Sequence, residues 1–414
     1  MWAQAIAGSL LAVNAKLQAT AGEQHMKARA DIRDHRRLSD ADCDFIARAE
    51  RFAEHFIRPN AAGWERNRQP GLPRDVVAAW AESGLLNACV PKSHGGGGAS
   101  FLAKIGIVEV IARHCIVSSF GLVNLLNGPL RLVQNGTDDQ RTRYLPGLMS
   151  GKTIIALCLT EPQSGSDFAG TATRAERVNG GWKLIGKKAW VTHGTIATLG
   201  IVYAQTDPSR RGKGIACFLV DLAKAECSMS APYTLDAGSA AGICDLTLEG
   251  VFVPDSDVLM QPGEAFAKAL GSINAARTHV AAMCCGVVGE ALAIANRYAH
   301  ERTAFGQPLI EHQGLRFKLA DIAADLEAAR QLTYRSADLV ENGGDGVSAA
   351  AIAKKMAVEM AARTLPECMA VLGANGLKSE YPLARHLLAA RIAAFADGTN
   401  EIQKDRIGRL IIEG

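Results

Sequence analysis

The sequence predicts an α+β fold: an N-terminal α-helical domain, a central β-barrel or sandwich domain, and a C-terminal four-helix bundle. Three observations carry this expectation. Hydrophobic periodicity is helical from about Leu38 to Met149. From about Thr153 it gives way to short β-rich runs separated by turn residues. From Ala265 onward, long segments with Ala/Leu faces return, joined by short loops. These shifts divide the chain into an N-terminal extension (1–37), a helical domain (38–152), a middle β domain (153–264) and a bundle (265–414). With 414 residues, 48% hydrophobic and 21% charged, the chain has enough material for two or three domains around a large core.

In the helical domain, Asp40-Ala41-Asp42-Cys43 is expected to cap a helix through Phe45, Ala49, Phe52 and Phe56, ended by Pro59. A second helix is expected over 76–86, closed by loop residues near Pro91. The run Gly95–Gly98 reads as a mobile loop, not a phosphate cradle, because no strand precedes it. In the β domain, 182–185, 189–192, 201–204 and 217–220 read as strands. Asn179-Gly180-Gly181 is a hairpin signal, and Val251-Phe252-Val253-Pro254 closes the region. The bundle helices are expected over 280–300, 314–342, 347–372 and 382–394, with Pro366 bending the third. Ala-rich stretches at 349–351 and 361–362 suggest apolar faces beyond what one core needs, and hence a homo-oligomer. No internal repeat is present.

Composition narrows the function classes. A net charge of +3 with no Lys/Arg run argues against nucleic acid. The ten cysteines are scattered without paired CxxC motifs, which argues against a metal site and fits reduced thiols in a cytoplasm. The first 25 residues are rich in Ala and Leu but lack a basic n-region and a run long enough to span a bilayer. They read as an additional helix, or as an upstream start with Met26 as the true start. No membrane span is expected elsewhere.

Five motifs carry chemistry. Leu157-Cys158-Leu159-Thr160-Glu161-Pro162-Gln163-Ser164-Gly165-Ser166-Asp167 is a polar loop whose hydroxyls and amides suit a phosphate or a ring edge. Gly186-Lys187-Lys188-Ala189-Trp190-Val191-Thr192-His193 puts a Trp in a strand, where it is usually core; two residues before a Thr, it could instead lie against an aromatic cofactor. Glu301-Arg302-Thr303-Ala304-Phe305-Gly306-Gln307-Pro308-Leu309, with His312-Gln313, offers a guanidinium that suits a pyrophosphate. Leu372-Gly373-Ala374-Asn375-Gly376 reads by itself as a helix-ending turn, and Asp397-Gly398-Thr399 puts one carboxylate before a Gly-Thr turn.

In this order and spacing, with 24 residues from Ser166 to Trp190 and 95 from Arg302 to Asp397, the motifs resemble those of acyl-CoA dehydrogenases over roughly residues 38–412. The resemblance implies FAD as cofactor. Cys158, Leu159, Thr160 and Ser166 would lie along the flavin, with Ser166 also near the acyl thioester. Trp190, Val191 and Thr192 would meet the flavin ring. Arg302, Phe305 and Gln313 would reach the FAD of a neighbouring subunit, and Gly373, Ala374, Thr399 and Glu401 would complete the cofactor set. Asn274, Arg277 and Gly398 would contact substrate, and Asp397 would be the catalytic base. A dimer or tetramer is implied, as is an electron-transfer flavoprotein as electron acceptor. The expected reaction is α,β-dehydrogenation of an acyl thioester, carried on CoA or on a carrier protein.

Three departures qualify the resemblance. Asp397 replaces the family's Glu, which shortens its reach by about 1.5 Å, one carbon–carbon bond. A displacement of about 1 Å at a reacting group can cost ~100-fold in rate. Some family branches carry the base just ahead of the residue matching Arg277; here that residue is Ala276. Asp236-Ala237-Gly238-Ser239-Ala240-Ala241-Gly242 stands where the family usually has a Gly-x-Arg. These departures keep two alternatives open: a flavoenzyme acting on a more acidic carbon, as nitroalkane oxidases do with an Asp base, and a non-catalytic flavin-binding subunit.

Overall fold

The computed structural model describes residues 38–413; the expectations for 1–37 lie outside them. The chain divides into two units, 1–44 and 45–414. In the first, Ser39 is the helix cap, just ahead of the expected Asp40–Cys43 segment, which contributes Asp42. Its Oγ accepts the Asp42 N–H (3.1 Å), and its own N–H donates to Asp42 Oδ2 (3.2 Å). These are the reciprocal bonds of a capping box.

Helix α1 (Asp40–Phe52) leads into a π-helical turn (Ala53–Ile57) ahead of Pro59. Then come α2 (Ala61–Arg66), α3 (Arg74–Glu82), α4 (Phe101–His114), α5 (Ile116–Asn135) and α6 (Asp138–Met149). Ser100 caps α4, and Thr137 with Gln140 forms a capping box on α6. The run Gly95–Gly98 is not the free loop expected. Gly97 and Gly98 donate to Asn87 O and Val90 O, and a Cβ on Gly96 or Gly97 would come within 2.1 Å of Val90 O or 2.4 Å of Phe45. The glycines allow close packing against the preceding loop.

The middle segment is an eight-stranded sheet of β1 (Ile155–Cys158), β2 (Arg174–Val178), β3 (Gly181–Val191), β4 (Leu199–Gln205), β5 (Ile215–Asp221), β6 (Cys227–Met229), β7 (Cys244–Pro254) and β8 (Val258–Met260). The order is β6-β7-β3-β2-β4-β5-β8, with β1 parallel to β4. The Asn179-Gly180 hairpin forms as expected: Val178 faces Gly181, and Gly180 has φ +77°, which glycine accepts without steric cost. β4 is buried along its whole length. One side of the sheet packs Phe218, Leu184, Val202 and Leu246 together. The other packs Ile201, Tyr203 and Leu219 against Leu132, Leu148, Ala265 and Ala269.

The bundle begins with α7 (Ala265–Glu301), much longer than the expected 280–300. A short hairpin, β9 (Thr303–Ala304) and β10 (Gln307–Pro308), leads to α8 (Gln313–Glu341), α9 (Gly346–Val371), α10 (Leu383–Phe395) and a fifth helix, α11 (Asn400–Glu413). α9 is central, packing on α7, α8, α10 and α11, and it stays helical through Pro366. Ala349, Ala350, Ala351 and Ala361 are buried within this packing, so they do not form the spare apolar face expected of them. Exposed apolar side chains occur elsewhere: Phe305, Phe317, Leu377, Phe395, Ile411 and Ile412. α5 and α7 are long and apolar enough to cross a membrane, but most of each is buried inside the protein.

Candidate active site

The first wall of the site is the edge of the sheet. β3 and β7 lose register between Lys188 and Val191: Ala189 and Trp190 stand opposite Asp245 alone. This is a β-bulge, a device that re-aims side chains beside functional sites. It holds Trp190 at φ +57° and leaves the residue 55% exposed. A bulky residue adopts that conformation only when its surroundings impose it. Tyr233 braces the ring edge-on at 4.9 Å; its hydroxyl donates to Asp245, and Asp245 pairs with Lys187 at 2.9 Å. Thr192 is half-buried beside it, while Val191 lies in the core.

The loop after β1 is tied to this strand. Ala189 N–H donates to Thr160 O (2.9 Å). Fully buried Lys188 pairs with buried Glu161 at 2.7 Å. Glu161 also accepts the N–H groups of Ala172 (2.7 Å) and Thr173 (2.9 Å) and the Gln163 amide (2.6 Å). Burial opposes the Glu161 charge, but Lys188 and these donors outweigh it and hold the carboxyl below its usual range. Leu159 and Thr160 are thereby held beside the Trp190 bulge, and Ser166 is exposed further along the same loop. The Cys158 thiol is fully buried in the core, where burial pushes it up to about 12, so Cys158 and Val191 offer a ligand only main chain.

The second element is the turn between α10 and α11. Asp397 has φ +55° and Gly398 φ +90°. The carbonyls around Asp397 are anchored one by one. Lys354 Nζ donates to Ala396 O and Gly398 O. Arg277 Nε donates to Asp397 O (3.1 Å), and its Nη1 donates to Asn274 Oδ1 (2.7 Å). Gln403 Nε2 donates to Gly398 O (3.0 Å) and Thr399 O (3.2 Å). Thr399 Oγ1 accepts the Ile402 N–H at the start of α11, and Glu401 is exposed in its first turn. Among the described residues, nothing hydrogen-bonds the Asp397 carboxylate. Burial raises its pKa above the usual value, against the opposing charges of Lys354, Arg131 and Arg277. The turn is pinned by its backbone while its side chain stays available.

Arg302, Phe305, Gln313, Gly373 and Ala374 form a third group. Arg302 N–H donates to Tyr298 O, and the Tyr298 hydroxyl accepts Asn375 Nδ2 (2.8 Å), which brings the 373–377 turn to the end of α7. Phe305 is 98% exposed at φ +52°; Arg302 and Gln313 are exposed. Arg302 follows Arg277 by 25 residues along α7, roughly 37 Å at the helical rise, so this group stands apart from the Asp397 turn of its own chain. Segment 236–242 is a tight turn whose Gly238 and Ser239 N–H groups donate to Glu65, and it presents no cation.

Lys354, Gln403, Tyr233 and the Glu161–Lys188 pair went unread in the sequence. Lys354 carried a signal: positions 350, 353, 354, 357 and 361 share one face of α9, and all of them are buried.

The chain matches the acyl-CoA dehydrogenase N-terminal domain over residues 39–152, the middle domain over 156–251 and the C-terminal domain over 264–412. It is 34% identical to the short-chain specific mitochondrial acyl-CoA dehydrogenase of Bos taurus, over 88% of this chain and 87% of that one. The structure of butyryl-CoA dehydrogenase from Megasphaera elsdenii superposes with a TM-score of 0.87 at 30% identity, covering 91% of this chain and 99% of that one. The prolyl acyl carrier protein oxidase AnaB gives 0.83 at 26%, covering 90% and 99%. The chain belongs to the acyl-CoA dehydrogenase family, FAD-dependent oxidoreductases that act on the CH–CH group of acyl thioesters.

Proposed function

We propose that this protein introduces a double bond between Cα and Cβ of an acyl thioester, with Asp397 as the base that takes the α proton. The carrying observation is the Asp397 turn: four backbone carbonyls anchored by Lys354, Arg277 and Gln403, around one carboxylate that no described residue hydrogen-bonds. Its raised pKa makes it a stronger base than a solvated Asp. The α C–H is a weak acid, so charge develops on the thioester oxygen as the proton leaves. The N–H groups of Asp397 and Gly398 bond no protein acceptor among the described residues and can stabilise that charge.

FAD fits the residues present. Exposed Trp190 stands at a bulge with Thr192 on the same strand and the Thr160–Ser166 loop tied to it, and an exposed Arg302 guanidinium, unpaired among the described residues, suits a diphosphate. When bound, FAD supplies the hydride acceptor for the β hydrogen. The chain's part is to orient the substrate, exclude water and move the α proton.

Arg302 and its neighbours stand too far along α7 to serve the Asp397 turn of the same chain, and exposed Phe305, Phe317, Ile411 and Ile412 need cover. We therefore assign a homo-oligomer, dimer or tetramer, in which this group completes a neighbour's FAD site. We further assign an electron-transfer flavoprotein as acceptor, a cytoplasmic location, and CoA or a carrier protein as the thiol. The short reach of Asp397 favours a second reading, a more acidic carbon of the nitroalkane type.

The test is an anaerobic flavin-reduction screen of thioesters on CoA and on carrier protein. The flavin band should bleach with at least one of them. A folded preparation that stays colourless when FAD is supplied would overturn the cofactor assignment. Bleaching by nitroalkanes alone would overturn the thioester.

A further inference from the structure

A second set of polar side chains, unused by the reaction above, lies where α4, α5 and α7 meet. Lys104 on α4 is 2% exposed and His279 on α7 is 3% exposed. Both pack on Phe101: Lys104 Nζ sits 5.7 Å over its ring, and the His279 ring lies tilted at 5.5 Å. Lys104 donates to Asn127 Oδ1 on α5, and Arg131 lies one helical turn beyond Asn127. His279 follows Arg277 by two residues on α7, and Arg277 Nε donates to Asp397 O (3.1 Å), so the cluster packs on the helix segment that anchors the catalytic turn.

The cluster lacks an anion. Among the described residues no carboxylate bonds or ion-pairs with Lys104, Arg131 or His279, and His279 Nε2 is buried without a partner. Burial brings Lys104 down to about 8; the Cys89 thiol opposes this and Arg131 adds to it. Burying the Lys104 ammonium without a counter-charge is costly, and an apolar acyl tail would leave that cost in place. A carboxylate arriving with the substrate would remove it. An ammonium, an amide and a guanidinium supply several donors to such a group, and charge-assisted bonds are the strong ones.

We propose that Lys104, Asn127 and Arg131 form a subsite for a carboxylate at the far end of the acyl group, so that the preferred substrate is the monothioester of a dicarboxylic acid. This rests on the thioester reading of the Asp397 site. The test compares glutaryl and adipyl thioesters with pentanoyl and hexanoyl thioesters of matched length, using FAD-loaded enzyme. The expected kcat/KM ratio favours the diacids by about 10-fold or more, the scale of a charge-assisted contact. Lys104→Met should collapse that ratio toward one, mainly through KM. Asn127→Leu, on a different helix, should lower it in the same direction and covers the case in which the first variant misfolds. Calorimetric binding of the same thioesters separates the two readings. If no thioester reduces the flavin but the diacids still bind more tightly, the subsite stands and the reaction assignment fails. Equal turnover and equal binding of diacids and monoacids would overturn the subsite.

Discussion

Removing the Lys188 ammonium tests whether the loop of residues 159–173 is held by a buried charge pair. In Lys188→Met the aliphatic bulk remains but Glu161, 2% exposed, loses its counter-charge. Breaking a buried pair from one side costs about 3–5 kcal/mol, because the remaining charge is left without compensation. Glu161 keeps three donors at 2.6–2.9 Å, from Gln163, Ala172 and Thr173, so the loss should fall near the lower end, about 3 kcal/mol. Urea denaturation of the FAD-loaded protein measures it. The double variant Glu161→Gln/Lys188→Met should be less destabilised than Lys188→Met alone, since no buried charge is stranded. The pH dependence has a defined sign. Glu161 sits below its ordinary value of 4.5 in the folded protein, so its stabilisation is full above pH 4.5 and is lost as pH falls through the folded value. The wild-type advantage over Glu161→Gln should therefore shrink only below pH 4.5. A Lys188→Met loss under about 1 kcal/mol would refute the reasoning, since that is the scale of an ordinary surface pair.

Two further outcomes follow from the same geometry. Lys354→Met should keep FAD but lower thioester-driven flavin reduction by ~100-fold, the scale of a 1 Å misplacement, because the carbonyls on either side of Asp397 lose their anchor. Stopped-flow reduction measures this, and unchanged rates would remove Lys354 from the positioning role. Arg302→Ala should weaken FAD retention while leaving urea stability of the apoprotein within about 0.5 kcal/mol, the range of exposed substitutions. Retention equal to wild type would show that the cofactor diphosphate lies elsewhere.

The order helices–strands–helices was legible because each periodicity is local, and so was the Asn179-Gly180 hairpin. What was hidden depends on contacts between distant segments. Gly95–Gly98 reads as a free loop until Phe45 and Val90 are seen against it. α11 was missed because its apolar residues Leu410, Ile411 and Ile412 are exposed and give no core-facing stripe. The Ala-rich stretches of α9 looked like spare surface but fill the middle of the bundle. At the site, the residues that carry functional groups were readable from motifs. Of those that hold them in place, Lys354, Gln403 and Tyr233 lie outside the motifs, and Lys188 stands inside one but pairs with Glu161, 27 residues away. The bulge at Trp190 turns a strand residue outward, a placement the motif left open and strand periodicity by itself does not give.

The central claim is that Asp397 takes the α proton. It is tested most directly by anaerobic stopped-flow reduction of the FAD-loaded protein, wild type against Asp397→Asn, across pH with the best thioester found. Asn preserves size and removes the base. The account predicts that the variant binds FAD and thioester but reduces flavin slower by orders of magnitude. It also predicts that the wild-type rate falls on the acid side as Asp397 is protonated, with an apparent pKa above 3.8, the ordinary value from which burial raises it. Equal reduction rates in the two proteins would contradict it and place the base elsewhere.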